Sequence, residues 1–407
     1  MTLSSSLPFD IIECIIEQID DYPSLLQCAV VSHAFLYSGR KRLFRNIRLG
    51  YDDAGLQCAR LLAILVDHPE ILPHIHTFRV EADGVIQGKT FALLLRHIAE
   101  GNHLRKFVMN VYDDLSWAKL DQSVQDSFRS LFRSASLRTV CFQGRIPRDF
   151  PIQLLGISPS LKHLSIFHSH GNMNYDASDC AIQSLLPSST QTSTARPSLE
   201  SLEIMGQFAS RLVKYLTHSR SPVQLLQLRE LRLMKLQDED DTSTAWEAMK
   251  VASSTLERLV WHDFSSHKCD PYRDVHLCAM KRLRAVELHG HAVLARCQWL
   301  ANLLASGRMP TSIETITLVF SAAWVGSCRM GVEEVEEVFT SKEHKLDDTL
   351  ALLCRGKAFP RLSAIELRVL LERSVEIDPP AREKMVGKWF PALQETGFLT
   401  SEILTTE

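Results

Sequence analysis

The chain has 407 residues, of which 45% are hydrophobic and 23% charged, with a net charge of -3. That composition describes a folded protein, and its near-neutral charge excludes a global drive towards nucleic acid or acidic membranes. No apolar run reaches the roughly 18–20 residues that a membrane-spanning helix needs. The opening residues MTLSSSLPFD lack both a basic region and an apolar core, so no secretory signal is expected. The ten cysteines are scattered singly and read as reduced thiols, which places the chain in the cytoplasm or nucleus.

Residues 5–49 read as a small helical module. Pro8 suits a first helical turn, where its missing N–H would be unpaired in any case. Ile11, Ile12, Ile15, Ile16 and Ile19 recur at helical spacing, with Glu13, Glu17 and Gln18 on the other face. Asp20, Asp21 and Pro23 end that helix. Ser24 is placed to cap the next, which carries Leu25, Leu26, Ala29 and Val30. A third segment holds Phe35, Leu36, Leu43 and Phe44 and the basic run Arg40, Lys41, Arg42, Arg45 and Arg48. Aromatics for base stacking are not interleaved with that run, so it is expected to be a solvated face at the junction. Three short helices in about 40 residues cannot enclose a full core, and apolar surface is expected to be left for a partner.

From residue 44 onward one pattern recurs eleven times: apolar, two variable, apolar, one variable, apolar. It runs as Phe44/Ile47/Leu49, Ile75/Phe78/Val80, Leu104/Phe107/Met109, Leu137/Val140/Phe142 and Leu161/Leu164/Ile166. It continues as Leu199/Leu202/Ile204, Leu228/Leu231/Leu233, Leu256/Leu259/Trp261, Leu283/Val286/Leu288, Ile313/Ile316/Leu318 and Leu362/Ile365/Leu367. The last two apolar positions alternate with polar ones, the period of a strand with one buried face. Helical spacing fills the intervals at 54–67, 90–100, 121–135, 207–218, 242–253 and 291–306. Such a repeat cannot bury its apolar face alone. Stacked copies give parallel strands on a concave side and helices on a convex side. Residues 50–370 are therefore expected to form an irregular α/β solenoid. A flexible insertion at 187–198 and a long acidic helix at 331–354 interrupt it, and residues 371–407 are expected to form a helical cap or tail.

The module resembles an F-box of the fungal type. The residues that carry the likeness are Leu7, Pro8, Asp10, Ile11, Ile12, Ile15, Leu25, Leu26, Val30, Val31, Ser32 and Phe35, and then Arg42 to Leu49. Phe35 stands where the family usually has Trp. The remainder resembles an irregular leucine-rich repeat solenoid; the Asn or Cys that often follows the motif is mostly absent, although Asn110 sits close to its place. The resemblance implies docking on a Skp-type adaptor and through it on a cullin–RING (SCF-type) ubiquitin ligase. Leu7, Pro8, Ile11, Ile12, Ile15, Leu25, Leu26, Val30 and Phe35 would be interface or local core. It further implies a protein substrate held by the repeats, with no bond chemistry, cofactor, metal, membrane or nucleic acid. The alternative is a leucine-rich repeat scaffold that joins no ligase and uses the module as an N-terminal cap.

One stretch points to an enzymatic class. Gly84 to Thr90 (GVIQGKT) ends like a phosphate-binding loop, whose backbone N–H groups wrap phosphate oxygens. Three residues rather than four separate its glycines, and Asp83 stands where the first Gly belongs. A repeat loop with Thr90 capping the next helix is expected instead. His262, His267, Cys269, His276 and Cys278, like His163, His168 and His170, lack the paired cysteines of a zinc site. No spacing marks a nucleophile with its base. The residues just after the triplets (Asn110, Gln143, Phe167, Met205, Met234, His262 and His289) should point into the concavity. Phe167, Met205 and Met234 would make an anchor patch for substrate, flanked by Arg232, Glu203 and Glu287.

Overall fold

The computed structural model describes residues 8–31, 33–50, 53–81, 84–111, 116–144, 150–151, 153–167, 196–205, 209–218, 221, 223–236, 239–263, 277–291, 312–321, 346–355, 359–372, 384–385 and 387–406. The chain divides into two units, Met1–Pro197 and Ser198–Glu407.

The first unit opens with α1 (Phe9–Glu17), α2 (Tyr22–Val31) and α3 (His33–Arg45). Pro8 precedes α1 rather than entering it, and its carbonyl accepts from the Ile11 and Ile12 N–H groups at 3.1 and 3.2 Å. Asp21, not Ser24, caps α2. Its Oδ2 accepts the Ser24 N–H at 2.8 Å, and hydrogen bonding to Ser24 lowers the Asp21 pKa. Ile12, Ile16 and Leu25 form the buried core of the module, with Ile19, Cys28, Phe35 and Leu43 packed around them. The α2 and α3 backbones meet so closely that a Cβ at Gly39 would lie 3.1 Å from the Ala29 Cβ.

The basic run is a clasp rather than a simply solvated face. Lys41 pairs with Glu13, Arg42 with Glu17 at 3.8 Å and Asp20 at 3.5 Å, and Arg45 with Glu17 at 3.2 Å. Arg40 reaches Glu70 at 3.8 Å. Local density in the sequence marks these cations, whereas most of their carboxylates arrive from α1 and the turn after it, with all of α2 between.

Five parallel strands follow in chain order: β1 (Asn46–Leu49), β2 (Thr77–Val80), β3 (Lys106–Val111), β4 (Thr139–Gly144) and β5 (His163–Phe167). Helices α4 (Ala54–Asp67), α5 (Lys89–Gly101), α6 (Gln122–Arg133) and α7 (Gln153–Gly156) alternate with them. The register aligns Ile47, Phe78, Phe107, Val140 and Leu164 in one row and Leu49, Val80, Met109, Phe142 and Ile166 in another. Helices cover this face. Phe128 of α6 lies 6.0 Å from Phe107, 6.1 Å from Phe91 of α5 and 5.6 Å from Trp117, between ring centroids.

The second unit repeats the scheme with β6 (Ser201–Met205), β7 (Glu230–Leu236), β8 (Arg258–Asp263), β9 (Ala285–His291), β10 (Thr315–Ser321), β11 (Ala364–Glu372) and β12 (Leu399–Thr406). These strands are also parallel and in chain order. Its helices include α8 (Ala209–Thr217), α9 (Glu239–Val251), α10 (Leu346–Arg355) and α11 (Pro391–Gln394). The expected helical tail is instead one more repeat, in which β12 pairs with β11 from Ile365↔Leu399 to Glu372↔Thr406. The apolar pattern missed it because Thr396 and Ser401 occupy two of the three apolar positions.

Every triplet from Ile75 to Leu367 is buried at all three positions. In the first, Leu49 is buried while Phe44 and Ile47 are half-buried. At about 1.5–3 kcal/mol per buried large aliphatic side chain, these rows outweigh exposed ion pairs at about 0.2–1 kcal/mol each. Just before β3, β4, β5 and β7 to β11, two N–H groups of one repeat share a carbonyl of the repeat before it. Arg105 and Lys106 donate to the His76 carbonyl at 2.8 and 2.9 Å, and Arg229 and Glu230 to that of Glu200 at 2.8 and 3.0 Å. That link fixes the register. The result is an α/β architecture of stacked strand–helix repeats in both units. Of the other expected elements, residues 187–195, 292–306 and 331–345 lie outside the described residues, and His291 ends β9 rather than starting a helix.

Candidate interaction surfaces

The isoleucine doublets of α1 sort themselves by side. Ile12 and Ile16 turn into the module core, whereas Ile11 and Ile15 remain 44% and 42% exposed. On α2, Leu25 is buried, while Leu26 and Val30 are 43% and 85% exposed. Each exposed pair is four residues apart and so shares a helix face. Pro8 is also exposed. Of the residues expected to be interface or local core, Ile12 and Leu25 are local core, where they hold the three helices together. Phe35 packs against that core, and Leu7 lies outside the described residues.

The second surface is the polar face of the second unit's sheet. Met205, Met234, His262 and His289 form one cross-strand row, continued by Val319 and Arg368. Glu203, Arg232, Val260, Glu287, Thr317 and Glu366 form the adjacent row. All four members of the predicted part of the first row are half-buried. Phe167 closes β5 of the first unit.

Ion pairs run across this face. Arg232 lies 2.8 Å from Glu230 and 3.9 Å from Glu203, and Arg258 lies 2.9 Å from Glu287 and 3.7 Å from Glu230. His289 Nε2 meets Glu287 Oε1 at 2.7 Å, and its ring lies tilted against that of His262 with centroids 4.3 Å apart. The His289 bond first, then the Arg258 bond, hold the Glu287 carboxyl down at about 2. Further along, Glu366 accepts from Thr317 at 3.2 Å and Arg368 at 3.0 Å. Glu230, Arg258, Glu366 and Arg368 were missed in the sequence, where the positions after the triplets were followed only as far as His289. Their signal was charge at alternate positions of the same strands.

A third cluster was also missed. Glu81, just past the end of β2, has 3% of its side chain exposed and is clamped by Arg48 of the neighbouring strand β1 and by Arg79 of β2 itself. Arg48 Nε donates to it at 2.6 Å, and Arg79 also donates to Gln143 Oε1 at 2.9 Å.

The Gly84–Thr90 stretch is a closed turn. The Gly88 N–H donates to the Val85 carbonyl at 2.9 Å, and Ile86 between them is fully buried. Gly88, not Thr90, stands at the start of α5, and Thr90 lies exposed inside the first turn. His267, Cys269, His276, His168 and His170 lie outside the described residues. Among the described residues, no group of three His, Cys, Asp or Glu side chains is placed to hold a metal ion. Among them too, no helix is long and apolar enough to cross a membrane. No protein-family model matches the chain, and no curated protein matches it.

Proposed function

We propose that this chain is a substrate-recognition adaptor of an SCF-type ubiquitin ligase, with α1 and α2 docking on a Skp-type adaptor and the repeats holding a protein substrate. The observation that carries this reading is the split of the opening helices. Their core is complete with Ile12, Ile16 and Leu25, yet Ile11, Ile15, Leu26 and Val30 stay in water. An amphipathic helix that keeps such a stripe exposed suits a partner groove. The chain would do no bond chemistry. It would raise the effective concentration of substrate at a separate catalytic subunit. Calorimetric titration of the adaptor into wild type and Ile11→Asp/Leu26→Asp tests this. Binding lost at an unchanged melting temperature supports the reading, and equal binding by both sinks it.

A scaffold outside any ligase is the second reading. It is favoured by the contacts that tie the module to the turn Pro69–His74: Arg40 to Glu70, and Phe9 through Tyr37 to His74 at ring centroid distances of 5.9 and 5.5 Å. A nucleotide site at Gly84–Thr90 has less support, since the closed turn spends the Gly88 N–H on Val85. Thermal stabilisation by nucleotide that vanishes in Lys89→Ala would restore it.

A further inference from the structure

The two variable positions between the first and second apolar residue of each triplet differ sharply between the units. In the first unit they are Arg45/Asn46, His76/Thr77, Arg105/Lys106, Arg138/Thr139 and Lys162/His163, with no acid among them. In the second they start Glu200/Ser201, Arg229/Glu230, Glu257/Arg258, Arg284/Ala285 and Glu314/Thr315, with both signs present.

Backbone bonds stack the first-unit positions into a column. The His76 N–H donates to the Arg45 carbonyl at 3.0 Å, Arg105 to His76 at 2.8 Å, Arg138 to Arg105 at 2.9 Å and Lys162 to Arg138 at 2.9 Å. Arg105, Lys106 and Arg138 are exposed and make no ion pair among the described residues, whereas Arg45 is paired with Glu17. In the second unit Arg258 is engaged by Glu230 and Glu287, and Arg284 by Glu314 at 3.8 Å. Burial, then Arg105 and Arg45, push the His76 pKa down, so the His76 ring adds little to the charge that the column's arginines and lysines carry at neutral pH.

We infer that this basic column binds an extended, carboxylate-rich polypeptide segment. Strands about 4.8 Å apart put five successive positions across about 19 Å, the length of about six extended residues. Acidic side chains on one face of such a segment recur about every 6.7 Å, within reach of alternate cations on the column. The ten positions hold no Phe, Tyr or Trp on which bases could stack, which favours a peptide over a single-stranded nucleic acid. This surface is independent of the ligase reading, because the purified chain alone is tested.

Fluorescence anisotropy at low salt, with a labelled peptide of alternating Glu and Ser, is the experiment. The wild-type chain should bind it. Arg105→Gln/Arg138→Gln should bind roughly five- to tenfold more weakly, as two lost exposed ion pairs predict. Arg105→Lys/Arg138→Lys should restore binding, and Arg229→Gln/Arg284→Gln, which removes the same charge from the second unit, should leave it unchanged. If the double Gln variant melts early, Lys106→Gln reads the same column with a smaller loss. Absence of peptide binding, tighter binding of an oligothymidylate of equal charge, or equal weakening by the second-unit variant would each overturn the inference.

Discussion

Glu287 has 16% of its side chain exposed and bonds to both His289 and Arg258. Its carboxyl titrates at about 2 instead of the usual 4.5. A depressed folded value means that the carboxylate stabilises the fold above the unfolded value. That contribution, on the order of 1–3 kcal/mol, is lost as pH falls through the window between the two. The urea midpoints of wild type and Glu287→Gln should therefore differ at neutral pH and converge between about pH 4.5 and about pH 2. A gap that stays constant across that range would contradict the assignment.

The buried Glu81 makes an asymmetric prediction. Arg79→Ala leaves a carboxylate out of water with only the more exposed Arg48 beside it, and should cost about 1–3 kcal/mol. Glu81→Gln frees two arginines that can rehydrate and should cost less. Denaturant melts giving the reverse order would show that Glu81 is not the group that needs its partners. Neither the Arg48–Glu81 pair nor the Glu230–Arg258 pair could be read from the sequence, because the partners lie a whole repeat apart and depend on register.

At the scale of elements, helical periodicity located α1 and α2 but could not say which isoleucine of each doublet faces inward. That choice depends on where α3 packs, and α3 is positioned by Lys41, Arg42 and Arg45 reaching back to α1. Ile12→Ala and Leu25→Ala should each cost about 2–4 kcal/mol in chemical denaturation, while Ile11→Ala and Leu26→Ala stay within about 1 kcal/mol. Equal losses would place all four in the core. The C-terminal repeat rests on a different contact. Asp347 of α10 accepts the Ala392 and Leu393 N–H groups, both at 2.8 Å, and so caps α11. One oxygen of an amide cannot replace both. Asp347→Asn should lose about 1 kcal/mol and speed hydrogen exchange in β12. Unchanged exchange there would mean that the strand pairs alone retain the tail.

For the whole molecule, the repeat was the most legible feature, since the apolar triplet is both its sequence mark and its core. Ten of the eleven triplets are buried throughout, from Ile75/Phe78/Val80 to Leu362/Ile365/Leu367. The departures fell where that mark fades, as at Thr396 and Ser401 before and within β12. The second-unit surface was half legible: Met205, Met234, His262 and His289 do align, but the ion pairs that define their surroundings were not foreseen. The ligase reading rests on the smallest part of the chain, so its test should address that part alone. The chain should be co-expressed with a Skp-type adaptor and the product weighed by size-exclusion chromatography with mass measurement. The account predicts a one-to-one complex that Ile11→Asp/Ile15→Asp abolishes without unfolding the chain. A well-folded chain that elutes free of the adaptor would contradict it and leave the opening helices as the cap of a repeat scaffold.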